Sequence, residues 1–188
     1  MTYKETVKDK IFSLNELKGE NLEDTRFINC KFTAANFKFT SFLNCYFVNC
    51  DFSGVLLVST SFDNCIFEEC KLSWINFKDT MIKNCQFTSS VLEGCTFEKQ
   101  KLRKCSFISS NLTAAIFQNC DLSDADFEKA ELERATFDHC ILLATNFTFA
   151  HIEAVLFQNC KINKTKLDME GFLSFGISKG FVLSQGNN

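Results

Sequence analysis

The stretch Cys120–Phe137, CDLSDADFEKAELERATF, carries a large apolar residue at every fifth place: Leu122, Phe127, Leu132 and Phe137. Two residues before each stands a small one: Cys120, Ala125, Ala130 and Ala135. What lies between is mostly polar. A helix repeats every ~3.6 residues and a strand every ~2.0, so a period of five suits neither. Both faces of an ordinary element would be mixed. A chain with this period must turn a corner every five residues.

Outward from this stretch the register never slips. From Leu22 to Leu167, thirty consecutive sites at numbers ending in 2 or 7 carry only Phe, Leu or Ile. All eleven Cys stand at numbers ending in 0 or 5, and the other such sites are mostly Ala, Thr, Ser or Val. Two positions in five therefore face inward, one large and one small, and three face water. A fixed period over this length signals a solenoid, in which each turn buries its apolar edge on its neighbours.

Asn36, Asn76, Asp121, Asp126 and Asn146 directly precede the large residue, as in Ala35-Asn36-Phe37 and Cys120-Asp121-Leu122. With these residues the chain resembles the pentapeptide-repeat family, whose pattern is a small residue, Asp or Asn, Leu or Phe, then two variable residues. The resemblance covers residues 20–169 without a gap. It implies an all-β, right-handed quadrilateral β-helix with four pentapeptides per coil and about 7–8 coils. At ~4.8 Å between paired strands such a rod is about 36 Å long. Residues twenty apart should then stack. One column reads Phe27, Phe47, Phe67, Phe87, Phe107, Phe127, Phe147, and the opposite one Phe37, Leu57, Phe77, Phe97, Phe117, Phe137, Phe157. The columns between turn aliphatic in the later coils, which fills a square interior without voids.

The ends depart from the pattern. Residues 1–19 are expected to form an N-terminal cap, since an open sheet end invites pairing with other chains. Thr2 and Glu5 have the spacing of a capping box, and Val7, Ile11 and Leu14 could line a helix. Val7, Phe12 and Leu17 equally fall on the five-residue register. After Leu167 the repeat decays, and residues 170–188 concentrate Phe172, Phe175, Ile177, Phe181, Val182 and Leu183 in a short tail. That tail is read as a folded-over cap or a self-association surface.

Composition narrows the function classes. A net charge of −3 with pI near 5.5 argues against direct nucleic-acid binding. No apolar run is long enough to span a membrane. The polar start, MTYKETVKDK, lacks the apolar segment of a secretory leader, so a cytoplasmic location with reduced thiols is expected. Zero Pro suits a backbone whose N–H groups are nearly all used in ladders. His139 and His151 have no nucleophile or carboxylate placed by the repeat to orient them, so no enzyme and no cofactor is expected. The shortest Cys spacing is five, unlike zinc pairs, and stacked thiols ~4.8 Å apart are too far for a disulfide. The Cys are read as free, small, buried hydrophobes.

Two surface features point to protein partners. Asp121, Asp124, Asp126, Glu128, Glu131, Glu133 and Asp138 face only Lys129 and Arg134 within residues 121–138, a local charge of −5. Trp74, Phe39, Phe149, Tyr46, Ile28, Val48, Ile66 and Ile108 occupy outward positions, five of them on the wall of the Phe27–Phe147 column. Chain length, richness in Cys and Phe, the unbroken coil and the apolar tail are similar to the topoisomerase-protecting members of the family, of the quinolone-resistance (Qnr) and microcin B17 immunity types. That resemblance implies a dimeric, DNA-mimicking rod that engages DNA gyrase or topoisomerase IV, the acidic band as its contact and the tail as its dimer joint. The alternative is an interaction scaffold unrelated to topoisomerases, with the apolar strip as its binding face.

Overall fold

The computed structural model describes residues 3–182 and 184. The chain winds a right-handed quadrilateral β-helix of about 8 turns, closed at its C-terminal end by one helix, α1 (Met169–Ser178). Pairing is parallel throughout and the register is twenty residues: Val7 pairs with Phe27, Phe27 with Phe47, and Phe117 with Phe137. Each coil is therefore four pentapeptides.

On the first wall, Glu5–Lys8, Thr25–Ile28, Tyr46–Val48, Ile66–Glu68 and Gln86–Thr88 form one five-stranded sheet. The ladder thus begins at residue 5. The helical reading of the N-terminal segment does not hold, because Glu5–Lys8 is a strand and Phe12 and Leu17 are buried in the first coil. The second wall makes only single bridges, from Ile11–Lys31 up to Glu131–His151. The third gains strands from Thr96–Glu98 onward, and the fourth carries them at both ends of the rod.

Several of the single-bridge rungs carry Asn or Asp before the large residue. Asn36, Asp51, Asn76, Asn111, Asp121, Asp126 and Asn146 each accept, through a side-chain oxygen, the backbone N–H two residues on, at 2.9–3.1 Å. This Asx turn tightens the corner at the expense of extended backbone. Rungs with Tyr46, Ile66, Ile116 or Leu156 at that place are strands, while Lys31, Leu56, Lys71 and Val91 make single bridges without such a turn.

The corners need a second device. Every non-glycine residue with positive φ, from Asp9 to Lys164, lies at a number ending in 4 or 9, as do Gly19, Gly54 and Gly94. This left-handed conformation is costly for L-residues, least so for Asn and Asp and most for β-branched ones. The column is accordingly rich in Asn, Asp, Gly, Ser and Ala, and holds no Val, Ile or Thr. Asn side chains there run as ladders, Asn49 donating to Asn29 and Asn29 to Asp9, each at 3.0 Å.

Inside, Phe rings stack face to face along the rod, at 5.0 Å for Phe27–Phe47 and 4.9 Å for Phe117–Phe137. Neighbouring columns meet edge to face, as Phe127 and Phe137 do at 5.8 Å. Each buried Phe contributes roughly 2 kcal/mol of transfer free energy, most of it offset by chain entropy. The small inward residues do more than leave room. Thr60 donates to the Phe37 carbonyl at 2.8 Å, Ser90 to that of Phe67 at 3.1 Å, and the Cys140 thiol lies 3.3 Å from that of Phe117. A short side chain with a donor satisfies a carbonyl of the previous coil, which is why Cys, Ser and Thr share this column with Ala.

Candidate protein-binding surfaces

The acidic band of residues 121–138 runs once round the rod. Asp121 and Asp124 lie on the fourth wall, Asp126 and Glu128 on the first, Glu131 and Glu133 on the second, and Asp138 on the third. They do not converge on one face. Arg103 lies 3.4 Å from Asp121 and 4.0 Å from Asp124; Glu128 meets Lys129 at 3.2 Å, Glu133 meets Arg134 at 3.3 Å, and Asp138 meets His139 at 2.7 Å. Asp121 and Asp126 are also corner-forming Asx residues. Partial burial raises the Asp121 carboxyl, but the Ser123 hydroxyl and N–H and the Arg103 guanidinium outweigh it, and the net shift is downward. Asp124, Glu128, Glu131 and Glu133 form no such turn; each is partly exposed and has a basic side chain within 4.0 Å, respectively Arg103, Lys129, His151 and Arg134.

The tail is a helix, and the sequence hid it behind Gly171 and Gly176. Asp168 is its N-cap, accepting the Gly171 N–H at 2.8 Å while its other oxygen takes the Phe149 N–H. Gly171 is buried beside Leu167 and Ile152, and a Cβ there would crowd Leu167 at 3.2 Å. Phe175 packs on the last core ring, Phe157, at 5.6 Å. Phe172, Ile177, Phe181 and Val182 remain exposed, Val182 at 91%. Leu183 lies outside the described residues.

The apolar strip expected on the first wall is a weaker feature than its sequence suggests. Ile28, Tyr46, Val48, Ile66 and Ile108 are half-buried, since stacked neighbours cover one another; Tyr46 also lies under the Arg26 guanidinium and bonds Glu68. Among the described residues of the coil, Trp74, Phe39 and Phe149 are the exposed aromatics, all at left-handed corners. The Trp74 ring lies where a Cβ on Gly94 would stand, so Gly94 is needed for close approach as well as for its φ of 64°.

All eleven Cys are free, and ten are buried, Cys160 at the last rung being the half-exposed one. Burial pushes the Cys95 and Cys105 thiols up to about 12. Among the described residues no group of three or more His, Cys, Asp or Glu is placed to hold a metal, and no helix is long and apolar enough to cross a membrane. His139 and His151 point outward, and contrary to the sequence expectation each stands beside a carboxylate, Asp138 at 2.7 Å and, stacked one coil earlier, Glu131 at 3.5 Å.

One feature went unseen in the sequence: a groove of about 930 Å³ between the second wall and α1. It gathers Glu131 and Glu133 with Glu153, Asp168 and Glu170. Glu153 stacks one coil beyond Glu133, a relation the twenty-residue register would have shown. The approach of Glu170 depends on how α1 folds back.

Three comparisons place this architecture. No curated protein matches the chain. Among solved structures, a trypsin-treated variant of QnrB1, a plasmid-mediated fluoroquinolone resistance protein, superposes with a TM-score of 0.68 at 19% identity, covering 98% of this chain and 100% of that one. Full-length QnrB1 gives 0.63 at 18%, covering 94% and 100%. A second trypsin-treated variant gives 0.51 at 22%, covering 95% and 97%. At these identities the likeness is one of fold. The model of the pentapeptide repeat region matches residues 20–97 and 110–170, and a pentapeptide-repeat model of eight copies matches 82–119. Repeat, coil and matched residues agree: the chain belongs to the pentapeptide-repeat family.

Proposed function

We propose that the protein is a non-enzymatic rod that binds DNA gyrase or topoisomerase IV in the cytoplasm and protects it from quinolones or similar poisons. It acts as a dimer joined through α1. The observation that carries this reading is the end cap, in which Phe172 on α1 and Phe181 and Val182 just beyond it are left uncovered at the end of an unbroken solenoid. A second copy on that face would cover apolar surface and double the rod. The fold likeness to QnrB1, a fluoroquinolone resistance protein whose solved chains span this one almost end to end, is in keeping with protection from quinolones. Asp124, Glu128 and Glu133 near the joint would stand in for phosphates. The test is direct binding of purified gyrase to the wild-type rod and to the Asp124→Lys, Glu128→Lys double variant. About tenfold weaker binding by the variant is expected; equal binding would overturn the role of the band.

A second reading is favoured by Trp74, a large aromatic left 71% exposed over Gly94. In it the rod is a scaffold for another protein and Trp74 is the anchor. A Trp74→Ala variant that keeps full gyrase binding, from a rod that itself binds gyrase, removes this alternative.

A further inference from the structure

The groove between the second wall and α1 shares Glu133 with the first reading, but neither reading uses its cavity. Its apolar lining is Ile152 in the floor, with Phe149, Met169 and Ile177 at the edges, the last three well exposed. Carboxylates of Glu131, Glu133, Glu153, Asp168 and Glu170 stand around it, and His151 is its one residue with a basic side chain. Two of the acids are spoken for in part: Glu131 lies 3.5 Å from His151, and Glu133 bonds Arg134, which stands outside the groove. Asp168 is held by two backbone N–H groups. Glu153 and Glu170 remain, on opposite sides of the groove, one on the wall and one on the first turn of α1.

We infer that this groove is a docking site for an extended peptide segment of a protein partner in which basic and apolar residues alternate. Successive side chains of an extended segment point to opposite sides. The apolar ones meet Ile152, Phe149 and Ile177, and the Lys or Arg side chains reach Glu153 and Glu170. Charge complementarity selects the occupant: the lining carries acids on both sides and no Lys or Arg. A second copy of the chain is less suited, because among the described exposed apolar residues beyond Met169 only Ile177 lines the groove, while Phe172, Phe181 and Val182 lie outside it. The site shares Glu133 with the proposed gyrase contact, so its test varies Glu153 and Glu170 instead.

The probe is a short fluorescein-labelled peptide alternating Arg and Leu, titrated into the full chain by anisotropy. Two controls replace Leu with Ser or Arg with Glu. Glu153→Lys, an exposed wall substitution, and the Glu153→Lys, Glu170→Gln pair should weaken binding by about tenfold or more. The Asp124→Lys, Glu128→Lys rod, altered on other walls, should bind the peptide as wild type does, whatever its affinity for gyrase. Equal loss in both sets would mean general attraction of a cation to an acidic rod and overturn the site. So would equal binding of the Ser-containing peptide, since the apolar lining would then have no part. A shift of the Glu153→Lys chain from dimer to monomer in sedimentation would assign the groove to self-association and overturn it likewise.

Discussion

The Lys179 ammonium donates to the carbonyl of Phe157 at 2.7 Å. Phe157 closes the third wall, and its carbonyl would otherwise face a missing coil. On the same residue the Phe175 ring rests edge-on. At the other end of α1, Asp168 ties the helix start to Phe149. The helix is therefore pinned at both ends over the last rung, and the chain supplies its own cover for an edge that would otherwise recruit strands from other molecules.

Asp168→Ala should loosen this cover. Loss of an N-cap costs about 1 kcal/mol. Its carboxyl is held below the usual range chiefly by the Gly171 N–H. A lowered folded-state pKa means that the cap's contribution is complete above the unfolded value, about 4, and disappears as pH falls through the folded one. Hydrogen exchange of residues 169–178 should be faster in the variant at pH 7, and the two proteins should converge in acid. A constant difference down to the lowest pH would contradict the assignment.

Phe87→Asp should be far worse than Lys83→Asp. Phe87 is buried between Phe67 at 4.8 Å and Phe107 at 5.2 Å, so the substitution removes two ring contacts and buries an unpaired charge. A loss on the order of 4 kcal/mol or more is expected. Lys83 is exposed and bridges Asp63 at 3.0 Å, a pair worth ~1 kcal/mol at most. Thermal unfolding decides; similar melting temperatures for the two would mean that the inward register is wrong.

A thiol reagent at pH 8 should label native protein slowly and all eleven Cys after unfolding. Burial both shields the sulfurs and keeps thiols such as Cys105 protonated. Cys160, at the end of its ladder, should react first. Rapid native labelling of most sites would contradict the ladder.

Phe172→Glu with Val182→Glu should yield monomers in sedimentation and leave the coil's melting temperature unchanged, since neither residue packs on the core. A dimer that persists places the joint elsewhere.

What could be read from the chain alone was whatever repeats. Phe87 and Cys105 declare their burial because thirty copies of one pattern make the register unambiguous. The same copies contained two signals that were legible and stronger than they looked. Asn36 and Asp121 are turn formers, and the column from Asp9 to Lys164 avoids β-branched residues because its backbone is left-handed. What does not repeat was hidden. Nothing in Gly171 and Gly176 announces a helix, because α1 is stabilised by packing on Phe157 and by its cap rather than by propensity. The groove joins Glu153 to Glu170 across that packing, so it could not be read before the helix was placed. The charge of residues 121–138 was counted correctly, but not its internal pairing with Arg103, Lys129 and Arg134.

The most direct measurement is gyrase supercoiling of relaxed plasmid over a titration of the purified rod, with and without a quinolone. Substoichiometric to equimolar rod should restore supercoiling in the presence of the drug, and the Asp124→Lys, Glu128→Lys variant should restore it only at higher concentration. Supercoiling unchanged by the wild-type rod at every concentration, with drug and without, would contradict a topoisomerase as the partner.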